Sequence, residues 1–193
     1  YEAWRNCFEL VNLNLWEPAV KNYLYDVIRF WIHEFDIDGI RLDCADCLDF
    51  EFMKEMRRIT AAEKEDFWLM GEVIHGDYAR WANNDMFDSV TNYECYKGLY
   101  SSHNDRNYFE IAHSIKRQNG NGGIYKDIYL YNFLDNHDVN RIASTLKDIG
   151  MIGCVYTMMY TMYGVPSIYY GSEYGVKGTR TNTSDDALRP CLD

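Results

Sequence analysis

Short apolar runs alternate with helically periodic segments along the chain, and this alternation limits the fold more than any other feature. Strand-like runs lie near residues 39, 67, 87, 129 and 166. The segment opened by Glu17-Pro18 carries Val20, Leu24, Val27, Ile28, Trp31, Ile32 and Phe35, the spacing of one helical face. Asp49 is placed as an N-cap, with Leu48 and Met53 as a hydrophobic staple, for a helix to about residue 60 that buries Phe52, Met53, Met56 and Ile59. Further helices are expected around 93–101 and 108–115, closed by the glycine-rich turn 119–123. The run 151–163 is apolar on most sides and reads as a buried helix, and 171–193 as a polar tail. Strands that alternate with helices predict an α/β fold with a parallel sheet covered by helices. Five strands fit either an open sheet or part of an eight-stranded barrel, and both place their active groups at the carboxyl ends of the strands.

The run Ile37-Asp38-Gly39-Ile40-Arg41-Leu42-Asp43 ends on a charged pair. Residues two apart in a strand share a face, so Ile40 and Leu42 packed against helices turn Arg41 and Asp43 to the inside of the sheet. A lone charge there is costly and a pair is tolerated. Glu72 closes the next strand, and Asp138, beside His137, follows the run 129–134. Three carboxylates at strand ends suit glycoside cleavage, which needs two acids of unequal pKa and a third to bind hydroxyls. They also suit a divalent cation in a metal-dependent lyase. Arg41 already supplies a cation, and His137 suits a sugar hydroxyl, so sugar chemistry is the preferred reading.

Composition excludes some partners. Asp and Glu number 30 against 19 Lys and Arg, a net charge of −11 that repels nucleic acid. No apolar run reaches the length of a membrane span, so no membrane partner is expected. Six cysteines in a chain large enough for its own core suggest a reducing, cytoplasmic setting, and the Cys44/Cys47 pair reads as coincidental, without partners for a zinc site.

IDGIRLDCAD, LMGEVIH and FLDNHDVNR resemble, in order, three signature segments of the α-amylase clan, glycoside hydrolase family 13. VNLNLWEP and GVPSIYYGSEYG resemble two more, so the likeness covers nearly the whole chain. The resemblance implies a partial TIM-type (β/α)8 barrel with strands four to eight only, residues 1–193 forming the carboxyl-terminal part of the catalytic domain without a second domain. It implies a retaining glycosidase or transglycosylase acting on α-linked glucose oligomers or polysaccharides such as starch and maltooligosaccharides. Asp43 would be the nucleophile, Glu72 the acid and then base, and Asp138 the stabilising carboxylate, with Arg41 and His137 binding substrate. Retention requires the Asp43 and Glu72 carboxyl groups to lie about 5 to 5.5 Å apart.

The departures carry expectations of their own. Asp46-Cys47 stands where many relatives have Lys-His, which leaves a calcium site in the full-length enzyme open but without its usual histidine; no cofactor is otherwise required. Ile74-His75 resembles the cyclomaltodextrinase and neopullulanase group. The family's first three strands have no counterpart, so the remainder of the same enzyme chain is an expected partner, and the 193 residues alone are expected to be inactive. A non-catalytic amylase-like interaction subunit is the alternative from another class.

Overall fold

The computed structural model of the chain describes residues 2–4 and 6–192. An antiparallel pair, β1 (Ala3–Trp4) and β2 (Cys7–Val11), precedes α1 (Pro18–Phe35). Then follow β3 (Gly39–Leu42), α2 (Phe50–Glu63), β4 (Trp68–Gly71), β5 (Ser89–Val90), α3 (Tyr93–Asp105) and α4 (Phe109–Asn119). The chain continues through β6 (Tyr131–Asn132), the single turn α5 (Ile142–Thr145), α6 (Ile152–Thr161) and β7 (Val165–Pro166). β3, β4 and β5 pair in parallel in that order, β6 pairs in parallel with β7, and a parallel bridge between Thr91 and Tyr131 joins the two groups. The five expected strands are therefore neighbours in sequence order, each shorter than its apolar run.

Local chemistry sets the helix ends. Pro18 occupies the first turn of α1, where its missing N–H costs nothing, and Asp36 closes the helix in the left-handed conformation. Asp49 caps α2 by accepting from Phe52 N at 2.8 Å, and the expected four residues are buried. The helix runs on to Glu63, because Ala61, Ala62 and Glu63 are strong helix formers and nothing breaks it until Lys64 turns extended.

One core cluster joins α1, α2 and the outer face of β3 to β5, with Ile28, Ile32, Met53, Met56 and Leu69 buried and Ile40 and Leu42 packed against it. A second joins α3, α4 and α6 around Leu99, Ile111, Val155 and Met159. Two expectations fail here. On α1, Trp31 and Phe35 are exposed while Tyr25 is buried, because α2 covers a narrower stripe than the apolar pattern offers. On α6 only Val155 and Met159 are buried and Tyr160 stands half exposed, since α3 covers just one side of it. β1 and β2 were not anticipated, being short and without clean alternation; β1 is half-buried and β2 exposed. Among the described residues no helix is long and apolar enough to cross a membrane.

A buried amide network joins β5 to β6. Asn92 Nδ2 donates to Asn132 Oδ1 (2.8 Å) and Gln118 Oε1 (3.1 Å), and Asn92 Oδ1 accepts from Gln118 Nε2 (3.0 Å) and from Cys95 N (3.3 Å). Asn132 Nδ2 passes the chain on to Tyr163 O at 3.1 Å. Asn92→Ala strands several of these buried groups, and each unsatisfied group costs about 1–3 kcal/mol. A urea titration is expected to show a stability loss of at least about 2 kcal/mol; a loss under about 0.5 kcal/mol would mean that the network contributes nothing net.

Candidate active site

The parallel register brings the first two carboxylates together. Leu42 pairs with Gly71, so the next residues, Asp43 and Glu72, leave neighbouring strands at the same height, and Glu72 N donates to Leu42 O at 2.8 Å. The chain then turns sharply at Cys44, held in the left-handed region at φ 43°. That turn aims two amides at the neighbour: Cys44 N donates to Glu72 Oε2 (3.1 Å) and Ala45 N to Glu72 O (2.9 Å). Gly71 makes room for it, since a Cβ there would lie 2.8 Å from the Phe87 ring and 2.9 Å from Ala45 Cβ.

One guanidinium serves both acids. Arg41 Nη1 meets Asp43 Oδ1 at 3.0 Å and Nη2 meets Glu72 Oε2 at 3.1 Å. Their settings differ: the Asp43 side chain is 70% exposed and that of Glu72 only 7%. Burial is the largest influence on Glu72 and pushes its pKa up; the Cys44 amide and the Arg41 charge oppose it, and the Asp43 charge and hydrogen bond add to it. For Asp43 partial desolvation is the largest single influence and acts upward. The hydrogen bonds from Arg41 and Glu72, the Arg41 charge and Cys44 together outweigh it and hold the carboxyl below its usual value. Two acids sharing one cation are thus driven in opposite directions.

Asp138 arrives differently. β6 ends at Asn132, and the acid nearest that strand end is Asp135, which is buried and accepts from Ser172 Oγ (2.7 and 2.8 Å) and Ile142 N (2.8 Å). Asp138 lies three residues farther along a loop, so the expectation of three carboxylates at equivalent strand ends holds for two. Asn136 Oδ1 accepts from Asp138 N (2.8 Å) and Val139 N (3.0 Å), which folds the loop into a turn. His137 Nε2 stands 3.0 Å from Asp138 Oδ2. Among the described residues Asp138 makes no hydrogen bond or ion pair to Asp43, Glu72 or Arg41.

Two residues that sequence reasoning missed connect these groups. Tyr93, the first residue of α3, accepts from Asn136 Nδ2 at 3.2 Å and lies close enough to Glu72, Asp138 and Arg41 for their charges to act on its hydroxyl. Burial pushes its pKa up to about 12, so it stays a neutral donor. Arg189 comes from the tail and reaches Asp138 Oδ1 at 3.5 Å and His137 O at 3.3 Å, while pairing with Asp185 at 2.8 Å. A tyrosine at a helix start and an arginine in a polar tail are too common to single out without the fold.

Metal chemistry fits poorly. One oxygen each of Asp43 and Glu72 and Cys44 Sγ lie within 4.8 Å of one another, but Arg41 already holds both carboxylates, and burial pushes the Cys44 thiol up to about 11. A thiol is a soft donor, unsuited to calcium, and Asp138 is outside the group. Cys47 does not join it; its Sγ donates to Asp46 Oδ1 at 3.6 Å. Two clefts of about 640 and 820 Å³ lie elsewhere, beside α1 and α2 and under residues 11–16, and none of the three carboxylates lines either one.

Residues 4–190 match the family model described as the alpha amylase catalytic domain. The intracellular maltogenic amylase of Bacillus subtilis is 31% identical over 195 residues, which is 100% of this chain and 32% of that protein. Neopullulanase 2 of Thermoactinomyces vulgaris is 34% identical over 185 residues, covering 91% of this chain and 30% of its own length. The crystal structure of an Anoxybacillus alpha-amylase superposes with a TM-score of 0.78 at 29% identity, over 94% of this chain and 44% of that one. The chain thus spans about a third of the length of the curated relatives it matches.

Proposed function

Because the chain belongs to the alpha-amylase catalytic-domain family, with the fold of a TIM-barrel piece, we propose that it carries the reacting groups of a retaining glycosidase or transglycosylase acting on α-linked glucans. In this reading residues 1–193 supply strands four to eight of the barrel, and the remainder of the enzyme supplies the rest.

The observation that carries the proposal is the Asp43–Glu72 pair. The two carboxylates come within 4.8 Å of each other, are bridged by Arg41 and have oppositely shifted pKa values. An approach within that limit falls short of the about 6.5–9.5 Å that inversion needs for its water and supports the retaining reading. Asp43, exposed and with its pKa held down, attacks the anomeric carbon while Glu72, whose pKa burial raises, gives its proton to the leaving oxygen. The glycosyl ester formed on Asp43 is then cleaved by water or a sugar hydroxyl whose proton returns to Glu72. Asp138 and His137 would hold hydroxyls of the distorted sugar, and Arg41 keeps Asp43 charged. These groups suffice for the chemistry without a cofactor, and no step passes through calcium.

Names among the relatives, maltogenic amylase and neopullulanase, support maltooligosaccharides or related α-glucans as substrate. The test is trapping. A deactivated 2-fluoro α-glucosyl donor given to the full-length protein should label Asp43, read by peptide mapping. A label on another residue would overturn the assignment.

A further inference from the structure

Asp138 reaches the site from a loop, so its position depends on whatever holds that loop. We propose that Arg141, a buried residue that touches none of the reacting groups, is a positioning residue that sets Asp138 by tying three chain segments to one guanidinium. The inference rests on the glycosidase reading above.

Arg141 is fully buried. Within the loop after β6, its Nε lies 3.8 Å from Asp135 Oδ2, the acid already held by Ser172 and Ile142 N. Toward the stretch after β7, the guanidinium donates to Tyr170 O and stands 4.4 Å over the Tyr169 ring, which faces His137 at 6.5 Å between centroids. Toward the tail, Nη1 donates to Leu188 O (3.3 Å) and the Arg141 amide to Gly178 O (3.0 Å). The residue after Leu188 is Arg189, which meets Asp138 Oδ1 and the His137 carbonyl. One side chain therefore adjoins the neighbours of His137-Asp138 on both sides. The packing around it is close: a Cβ at Gly171 would lie 3.0 Å from Arg141 Nη2, and one at Gly178 would lie 2.9 Å from Arg141 Cγ. A lysine would keep the charge but lacks the planar fork whose separate nitrogens reach Leu188 O and Tyr170 O while its face stacks on Tyr169.

The test is a double-mutant cycle in the full-length protein with Arg141→Lys and Asp138→Asn. Arg141→Lys is expected to lower kcat at least about tenfold with KM nearly unchanged, and to add less than about twofold in the Asp138→Asn background. A purely structural role would lower the melting temperature and leave kcat intact, or cost the same factor in both backgrounds; either result overturns the proposal. Should Arg141→Lys fail to fold, Tyr169→Leu removes the stacking ring and is expected to show the same non-additivity. A crystal structure of either variant reads the placement without turnover. The Asp138 carboxylate should move by about 1 Å, a shift large enough to matter for catalysis. An unmoved Asp138 overturns the inference even if the glycosidase reading stands, whereas absence of Asp43 labelling in the parent enzyme overturns that reading and leaves this displacement test in force.

Discussion

Asp43→Asn is expected to abolish turnover, by more than about 10⁴-fold in kcat, because no other group in the site can form the covalent bond to the sugar. The substitution is nearly isosteric, and the amide oxygen can still accept from Arg41, so the fold should survive. What is lost is the negative charge that attacks. Arg41 then has only Glu72 to neutralise, and the Asp43 charge that helps to raise the Glu72 pKa is gone. Glu72 therefore gives up its proton more readily, which damages the acid step as well. Steady-state kinetics on maltooligosaccharides checks the size of the loss. Asp43→Ala should in addition be rescued by azide with an α-glucosyl fluoride donor: azide enters the space left by the carboxylate, fluoride leaves, and β-glucosyl azide forms. Retention of a tenth or more of the parent activity by Asp43→Asn would remove Asp43 from the nucleophile role.

Glu72→Gln should divide substrates by leaving group. Natural glucans, whose leaving oxygen needs a proton, should react about 10²–10⁴-fold more slowly. Formation of the glycosyl intermediate from a fluoride donor, which needs none, should change far less. Equal losses on both would exclude Glu72 as the acid. The pH profile follows from the opposite shifts. Asp43, with its pKa held low, loses activity as the pH falls through that value and it becomes protonated. Glu72, raised chiefly by burial, loses activity as the pH rises through its own value and the acid proton leaves. In the parent enzyme, formation of the intermediate from a fluoride donor should therefore keep the acidic limb and lack the alkaline one that natural glucans show.

How much of this was legible varies along the chain for physical reasons. The α2 cap and buried face could be read from Asp49, Phe52, Met53, Met56 and Ile59, because capping and helical periodicity are local. The α1 stripe was over-read at Trp31 and Phe35, since an apolar pattern states what a helix can bury and only its neighbours decide how much is covered. Asp43 and Glu72 were identified as a pair, and the register supports it: each follows its strand by one residue, so parallel pairing of Leu42 with Gly71 places them side by side. The Asp138 loop, Tyr93 and Arg189 escaped because their positions depend on contacts across 40 or more residues of sequence.

By itself the sequence determined the alternation of strands and helices, the two carboxylates that follow β3 and β4, the arginine two residues before the first of them and the likeness to the amylase family. Those features are written in periods of two and 3.6 residues and in side-chain identity, which neighbours in the chain can express. Only the tertiary structure decided which carboxylate is buried and which exposed, that the acid beside β6 turns into the core, and that Asp138 is held from the tail by Arg189 over a buried Arg141. Burial and long-range pairing belong to packed segments, and they set the opposite pKa shifts on which the proposed chemistry depends.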